Sequence, residues 1–166
     1  AIDNDNRSPI KGNFPGPGLY GLRIVVEPTG GLEAVRPRPG DQPEMYIAID
    51  TQAPQAKLTR VRQGEGYFAD HLMVSWETSD ENLPENAAVL YFSASRDGPW
   101  QTVANNLTNS GQFAWRLARH VPPEFYLRLE TIDLAGNKAS DQTAVPVKIV
   151  LPTASGQLQH ARPAGQ

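Results

Sequence analysis

Apolar and polar residues alternate along much of this chain with a period of two, most clearly in the stretch FYLRLETIDLAGNK at 125–138. Phe125, Leu127, Leu129 and Thr131 interleave with Tyr126, Arg128 and Glu130, which predicts a strand with one buried face. Asp133-Leu134-Ala135-Gly136-Asn137 then carries turn chemistry, Asp and Asn to bond nearby backbone and Gly to accept positive φ. Beyond a polar gap, Val145, Val147 and Ile149 resume the alternation as the return strand of a hairpin. Upstream, the same reading predicts strands at 56–61, 71–77 (Leu72, Val74 and Trp76 inward), 88–95, 100–103 and 112–117 (Phe113, Trp115 and Leu117 inward). The run AVLYFSAS at 88–95 is almost continuously apolar, so a central position is expected for it. With 125–132 and 145–150 these make about seven strands at short spacing, the number of an immunoglobulin-like sandwich.

The first third reads differently. An irregular, Asp-, Asn- and Pro-rich lead-in (1–17) precedes a strand at 19–27, a Pro28–Gly31 turn, a stiff RPRPGDQP loop at 36–43 and a second strand at 44–50 with Met45, Ile47 and Ile49 on one face. DTQAP at 50–54 breaks the pattern and marks a domain boundary. At an offset of 105 positions, Pro17 meets Pro122, Tyr20 meets Phe125, Leu22 meets Leu127, Arg23 meets Arg128, Ile24 meets Leu129 and Gly31 meets Gly136. That offset is close to the ~100 residues of one sandwich domain. Residues 1–50 therefore read as the closing hairpin of a truncated Ig-like unit, 54–151 as a complete β-sandwich and 152–166 as a polar tail. Since a lone hairpin is marginal in water, residues 1–50 are expected to be completed by a neighbouring domain or by another chain. The competing expectation is one larger sandwich that includes both early strands.

Composition narrows the class. Fifteen Pro and 14 Gly, scattered without a period, favour a turn-rich all-β chain over a helical one. A formal net charge of -3 gives no electrostatic basis for nucleic-acid binding. No apolar run reaches the ~18 residues of a membrane span. The absence of Cys removes disulfides, thiolate metal sites and Cys nucleophiles together.

Four segments in order, VSWETSDENL (74–83), LYFSASRDGPWQTVANNL (90–107), NSGQFAWRL (109–117) and LRLETIDLAGNKAS (127–140), resemble the fibronectin type III and bacterial Ig-like repeats of large exported bacterial proteins. DTQAP is similar to the junction that opens such repeats. The resemblance implies an all-β, immunoglobulin-like (fibronectin III-like) fold, an extracellular or cell-surface location and a non-catalytic spacer or scaffold role. It also implies a calcium site at domain junctions, whose matching positions here are Asp50 and Asp133. The hard cation takes six to eight oxygens, so further acids such as Asp80 or Glu81 would have to join them. Against this stands the simpler reading, in which Asp133 caps its own turn.

Other chemistry is thinner. Trp76 and Trp115 are in phase with core positions, whereas Trp100 begins a strand after a turn and is the candidate contact for a carbohydrate or partner. His71, His120 and His160 lack metal-binding or catalytic spacing. No nucleophile elbow or phosphate loop is present, and the acidic loop Glu77–Glu85 reads as solvated surface. Asp3-Asn4-Asp5-Asn6 lacks the Gly and distal Glu of a calcium loop. The expected function is thus a structural or interaction module, with a sugar-binding accessory module and a calcium-stiffened adhesin repeat as the rivals.

Overall fold

The computed structural model describes residues 12–25, 38 and 40–150; the lead-in before residue 12, the Pro28–Gly31 turn and the tail lie outside the described residues. The chain divides into two compact units, Ala1–Gln52 and Ala53–Gln166.

In the first unit, β1 (Gly18–Leu22) pairs antiparallel with β2 (Met45–Ile49), from Gly18 opposite Ile49 to Leu22 opposite Met45. β1 is shorter than the alternation predicts: Arg23, Ile24 and Val25 leave the ladder. Tyr20 anchors the lead into it, its ring tilted against Phe14 at 4.9 Å and its hydroxyl donating to the Gly16 carbonyl at 2.7 Å. Ile47 and Ile49 are half-buried, but Met45 is exposed, so the expected inner row holds only in part. Arg23 pairs with Asp41 (3.3 Å) and Glu44 (3.6 Å), exposed contacts of small energetic weight.

The second unit is built of antiparallel strands. One sheet is β3 (Gln55–Gln63), β4 (His71–Ser79) and β7 (Gln112–Arg116), in that order. The other runs β6 (Gln101–Leu107), β5 (Ala88–Ser93), β8 (Glu124–Ile132), with β9 (Lys138–Gln142) and β10 (Val147–Lys148) both on the far edge of β8. β9 and β10 occupy one strand position, interrupted at 143–146, where Pro146 lacks a ladder donor. Three positions in one sheet and four in the other make seven. Both inner faces feed one core: Leu72, Val74 and Trp76 from β4, Ala88, Leu90 and Phe92 from β5, and Phe125, Leu127 and Leu129 from β8. Trp115 packs at its margin, its ring 5.2 Å from Phe92 and 5.5 Å from Phe125. The arrangement is that of a β-sandwich.

Two side-chain clamps close the side where β3 faces the β9–β10 edge. Asp141 on β9 accepts the Leu58 amide at 2.8 Å, opposite the point where the β3–β4 register slips between Leu58 and Arg60. Gln63 imitates a strand pair with Val150, its amide nitrogen donating to the Val150 carbonyl (2.7 Å) and its oxygen accepting the Val150 amide (2.8 Å). These bonds satisfy backbone groups that the open edge would otherwise leave to water.

The last hairpin departs from the course its alternation predicts. Its return strand begins at Lys138, directly after the turn, within the polar stretch expected to be a gap. Lys138–Gln142 pairs through its backbone on an edge, so its side chains need not be apolar. Val145, expected inward, is exposed.

The inward row of β8 ends in polar residues, Thr131 and Asp133, both buried. Thr131 Oγ1 has no hydrogen-bond partner. Replacing it with Val is therefore expected to stabilise the unit by about 1 kcal/mol in urea denaturation, because a desolvated hydroxyl is removed. Leu127→Ala should destabilise it by about 3 kcal/mol with an unchanged m-value. Val145→Ala should stay within about 0.5 kcal/mol of the parent.

Candidate functional site

Three polar or aromatic constellations stand out among the described residues. The first is the β8–β9 turn. Asp133 continues the inward phase of β8, which brings its carboxylate under its own turn instead of into solvent. Its Oδ1 accepts the Asn137 amide and its Oδ2 the Asn137 side-chain nitrogen, both at 2.8 Å. The Asp133 amide in turn donates to the Asn137 carbonyl at 3.1 Å, and the Gly136 amide to the Asp133 carbonyl at 3.2 Å. Gly136 takes φ +92, a conformation open to glycine at little cost. Burial opposes ionisation of Asp133, but the hydrogen bonds from the Asn137 side chain and from the backbone of Asn137, Gly136 and Ala135 outweigh it. They hold the carboxyl below the usual aspartate value.

The β4–β5 connection comes to the same turn. Asp80 Oδ1 accepts the Asn82 amide at 2.8 Å, and the Asn82 carbonyl accepts the Leu134 amide at 2.9 Å. Carboxylate oxygens of Asp80 and Asp133 lie within 4.8 Å of one another. Both oxygens of Asp133 also accept N–H donors, so its place in the turn is explained without a cation. Asp50 closes the first unit, and its Oδ1 accepts the Gln52 amide at 2.9 Å.

The second constellation surrounds Trp100. The ring is half-buried, and the Arg128 guanidinium lies over it, 5.7 Å from the centroid. Arg128 is held by Glu130 (3.2 Å), which also meets Lys138 at 3.6 Å. The face of Trp100 that Arg128 covers is thus part of a cation–π and ion-pair network on the outer side of β8. Trp76 and Trp115 both pack in or against the core, in keeping with their alternation.

The third constellation drew no attention in the sequence. Between β3 and β4 the chain makes a single 3-10 turn, Gly66–Phe68, whose Tyr67 is 89% exposed and whose Phe68 is 48% exposed. The rings of Tyr67 and Phe68 meet edge-on at 5.3 Å, and Phe68 meets the His71 ring at 5.4 Å. His71 Nδ1 lies 2.7 Å from Asp70 Oδ1, while Arg116 donates from Nε to Asp70 Oδ2 at 3.0 Å. Burial pushes the Asp70 carboxyl up, but His71 and Arg116, by hydrogen bonding and charge, more than reverse this and set it below the ordinary value. The available signal was an aromatic pair preceded by Gly64 and Gly66, in phase with neither adjoining strand. His120 is exposed; His160 and Asp3–Asn6 lie outside the described residues.

Comparison of the chain with protein-family models, with curated proteins and with solved structures finds no match.

The Asp133 turn makes a prediction with a definite sign. A carboxyl whose folded-state pKa is depressed contributes stability that is present above its unfolded value, about 3.9, and is lost as pH falls through the folded value. Asp133→Asn should therefore lower the melting temperature at neutral pH and flatten the loss of stability on acidification below pH ~4. Asn137→Ala, by removing a donor, should raise the Asp133 pKa, read from its carboxyl carbon shift in an NMR titration. A parent-like acid profile in Asp133→Asn would contradict the capping role.

Proposed function

We propose that the chain is a non-catalytic structural and interaction module, of the fibronectin type III or bacterial Ig-like kind, from an extracellular or cell-surface multi-repeat protein. The order of three and four strand positions around one core supports an immunoglobulin-like sandwich in the second unit. One observation carries the repeat reading. Tyr20 pairs with Ile47 and Leu19 with Ala48 in the first unit, Phe125 with Val147 and Glu124 with Lys148 in the second, so the first strands correspond at an offset of 105 and their partners at 100. The first unit thus shares antiparallel pairing with the closing strands of the second, with five more residues between the paired positions. Its connection is longer, from Leu22 to Met45 rather than from Ile132 to Lys138, which is why the likeness fades along the return strand.

Among the described residues, a two-stranded sheet with Leu19, Met45 and Tyr46 exposed is short of a core of its own. In this reading a neighbouring Ig-like domain or another chain supplies the missing strands, by ordinary packing or by strand addition to an edge. Calcium stiffening, for which Asp50 and Asp133 are the expected positions, is the second reading, favoured by the closeness of Asp80 to Asp133.

Amide hydrogen exchange separates these accounts. In the isolated chain the amides of β1 and β2 are expected to exchange by local opening, orders of magnitude faster than those of β5 and β8. Protection of β1 and β2 equal to that of β8 would contradict the need for completion. The melting temperature of the second unit is expected to be unmoved by calcium or by chelator; a calcium-dependent rise abolished in Asp80→Asn would favour the stiffened repeat instead.

A further inference from the structure

We propose that the β3–β4 loop is a binding site for a neutral polysaccharide, with Tyr67 as its stacking platform and Asp70, His71 and Arg116 as its hydrogen-bonding rim. The proposal is independent of the repeat reading and differs in place from the Trp100 surface. Its basis is a solvent-exposed aromatic ring on a loop that is otherwise heavily tied down.

The Gly64 amide donates to the His71 carbonyl (2.8 Å), Phe68 to Glu65 (3.0 Å) and Ala69 to Gly66 (3.1 Å). Gln63 Nε2 donates to the Ala69 carbonyl at 2.6 Å, and the Leu117 amide to the Asp70 carbonyl at 2.8 Å. A side chain at Gly64 would collide with the Phe68 carbonyl oxygen, so the close approach that folds the loop back requires glycine. A loop held by so many bonds loses little entropy on binding. Tyr67 could have folded onto Phe68; instead the pair stands edge-on and leaves the phenol ring in water.

Size and polarity select the occupant. A whole aromatic side chain offers about 150–250 Å², so two partly exposed rings fall well below the ~800 Å² that each partner of a stable protein interface buries. The acidic Glu65 and Asp70 of the same loop disfavour an anionic lipid surface. A pyranose ring matches the loop: its C–H face covers one aromatic face, and its hydroxyls both donate and accept. Asp70 accepts, Arg116 donates from a side chain 79% exposed, and His71 does either. The Asp70–Arg116 and Asp70–His71 bonds hold these groups in place before a ligand arrives.

Native affinity electrophoresis of the full chain, in gels cast with hydroxyethylcellulose, xylan, galactomannan or a soluble β-1,3-glucan, tests the proposal. At least one gel should retard the parent. Tyr67→Ala should weaken that retardation about tenfold or more and Arg116→Ala should weaken it measurably, while Tyr67→Phe keeps the ring and most of the affinity. Tyr67→Ala should melt with the parent, since the side chain is exposed. Amide NMR shifts on titration with the matching oligosaccharide should centre on residues 64–71 and 116. Retardation by none of the four, retardation that survives Tyr67→Ala, or Tyr67-dependent binding to phosphatidylcholine vesicles without any to glycan would each overturn it.

Discussion

One strand sets the terms for the second unit. β8 is paired on both edges, with β5 along one side and with β9 and β10 along the other, and its inner row of Phe125, Leu127 and Leu129 is fully buried. A strand in that position has no freedom of register, because a slip of one residue would turn Tyr126, Arg128 and Glu130 into the core. The remaining strands are placed by what they owe to this row. β5 supplies Leu90 and Phe92 beside it, and β4 supplies Leu72, Val74 and Trp76 from the facing sheet. The charged outer row is organised too, as Arg128 and Glu130 join Trp100 and Lys138 in one surface network.

Where hydrophobic burial decides the structure, the sequence was legible. β4, β5, β7 and β8 lie close to the positions their alternation predicts, and Trp76 and Trp115 lie in or against the core. Where backbone hydrogen bonds decide, it was not. Lys138–Gln142 has little apolar periodicity because it works as an edge, held by its ladder to β8 and by the Asp141 bond to Leu58. The extension of β3 to Gln63 depends on a register slip and on a side-chain clamp to Val150, neither of which leaves a periodic trace. Asp133 was legible in kind, since Asp-x-x-Gly-Asn announces a turn, but its burial follows from its place in the inward row of β8. The loop at Tyr67 was overlooked because an aromatic residue between strands looks like an extension of the core.

Function is divided accordingly between a rigid body and what it carries. The turns and loops at the ends of the strands hold the chemically distinctive groups, positioned by a sheet pair with little conformational choice. The Asp133 turn spends its polar groups on itself, so it reads as a fastening. The Tyr67 loop directs an apolar ring outward while its polar groups lock its base, so it reads as a contact. In the first unit Ile47 and Ile49 are half-buried and Leu19, Met45 and Tyr46 exposed among the described residues.

The central claim is that a single core built on β8 suffices for the second unit. Calorimetry of a chain comprising residues 53–150 alone tests it most directly. The account predicts one cooperative transition at nearly the melting temperature of the same unit in the full chain, with a calorimetric enthalpy equal to the van't Hoff value. A broad, non-cooperative melt, or the loss of folded structure on removing residues 1–52, would contradict it.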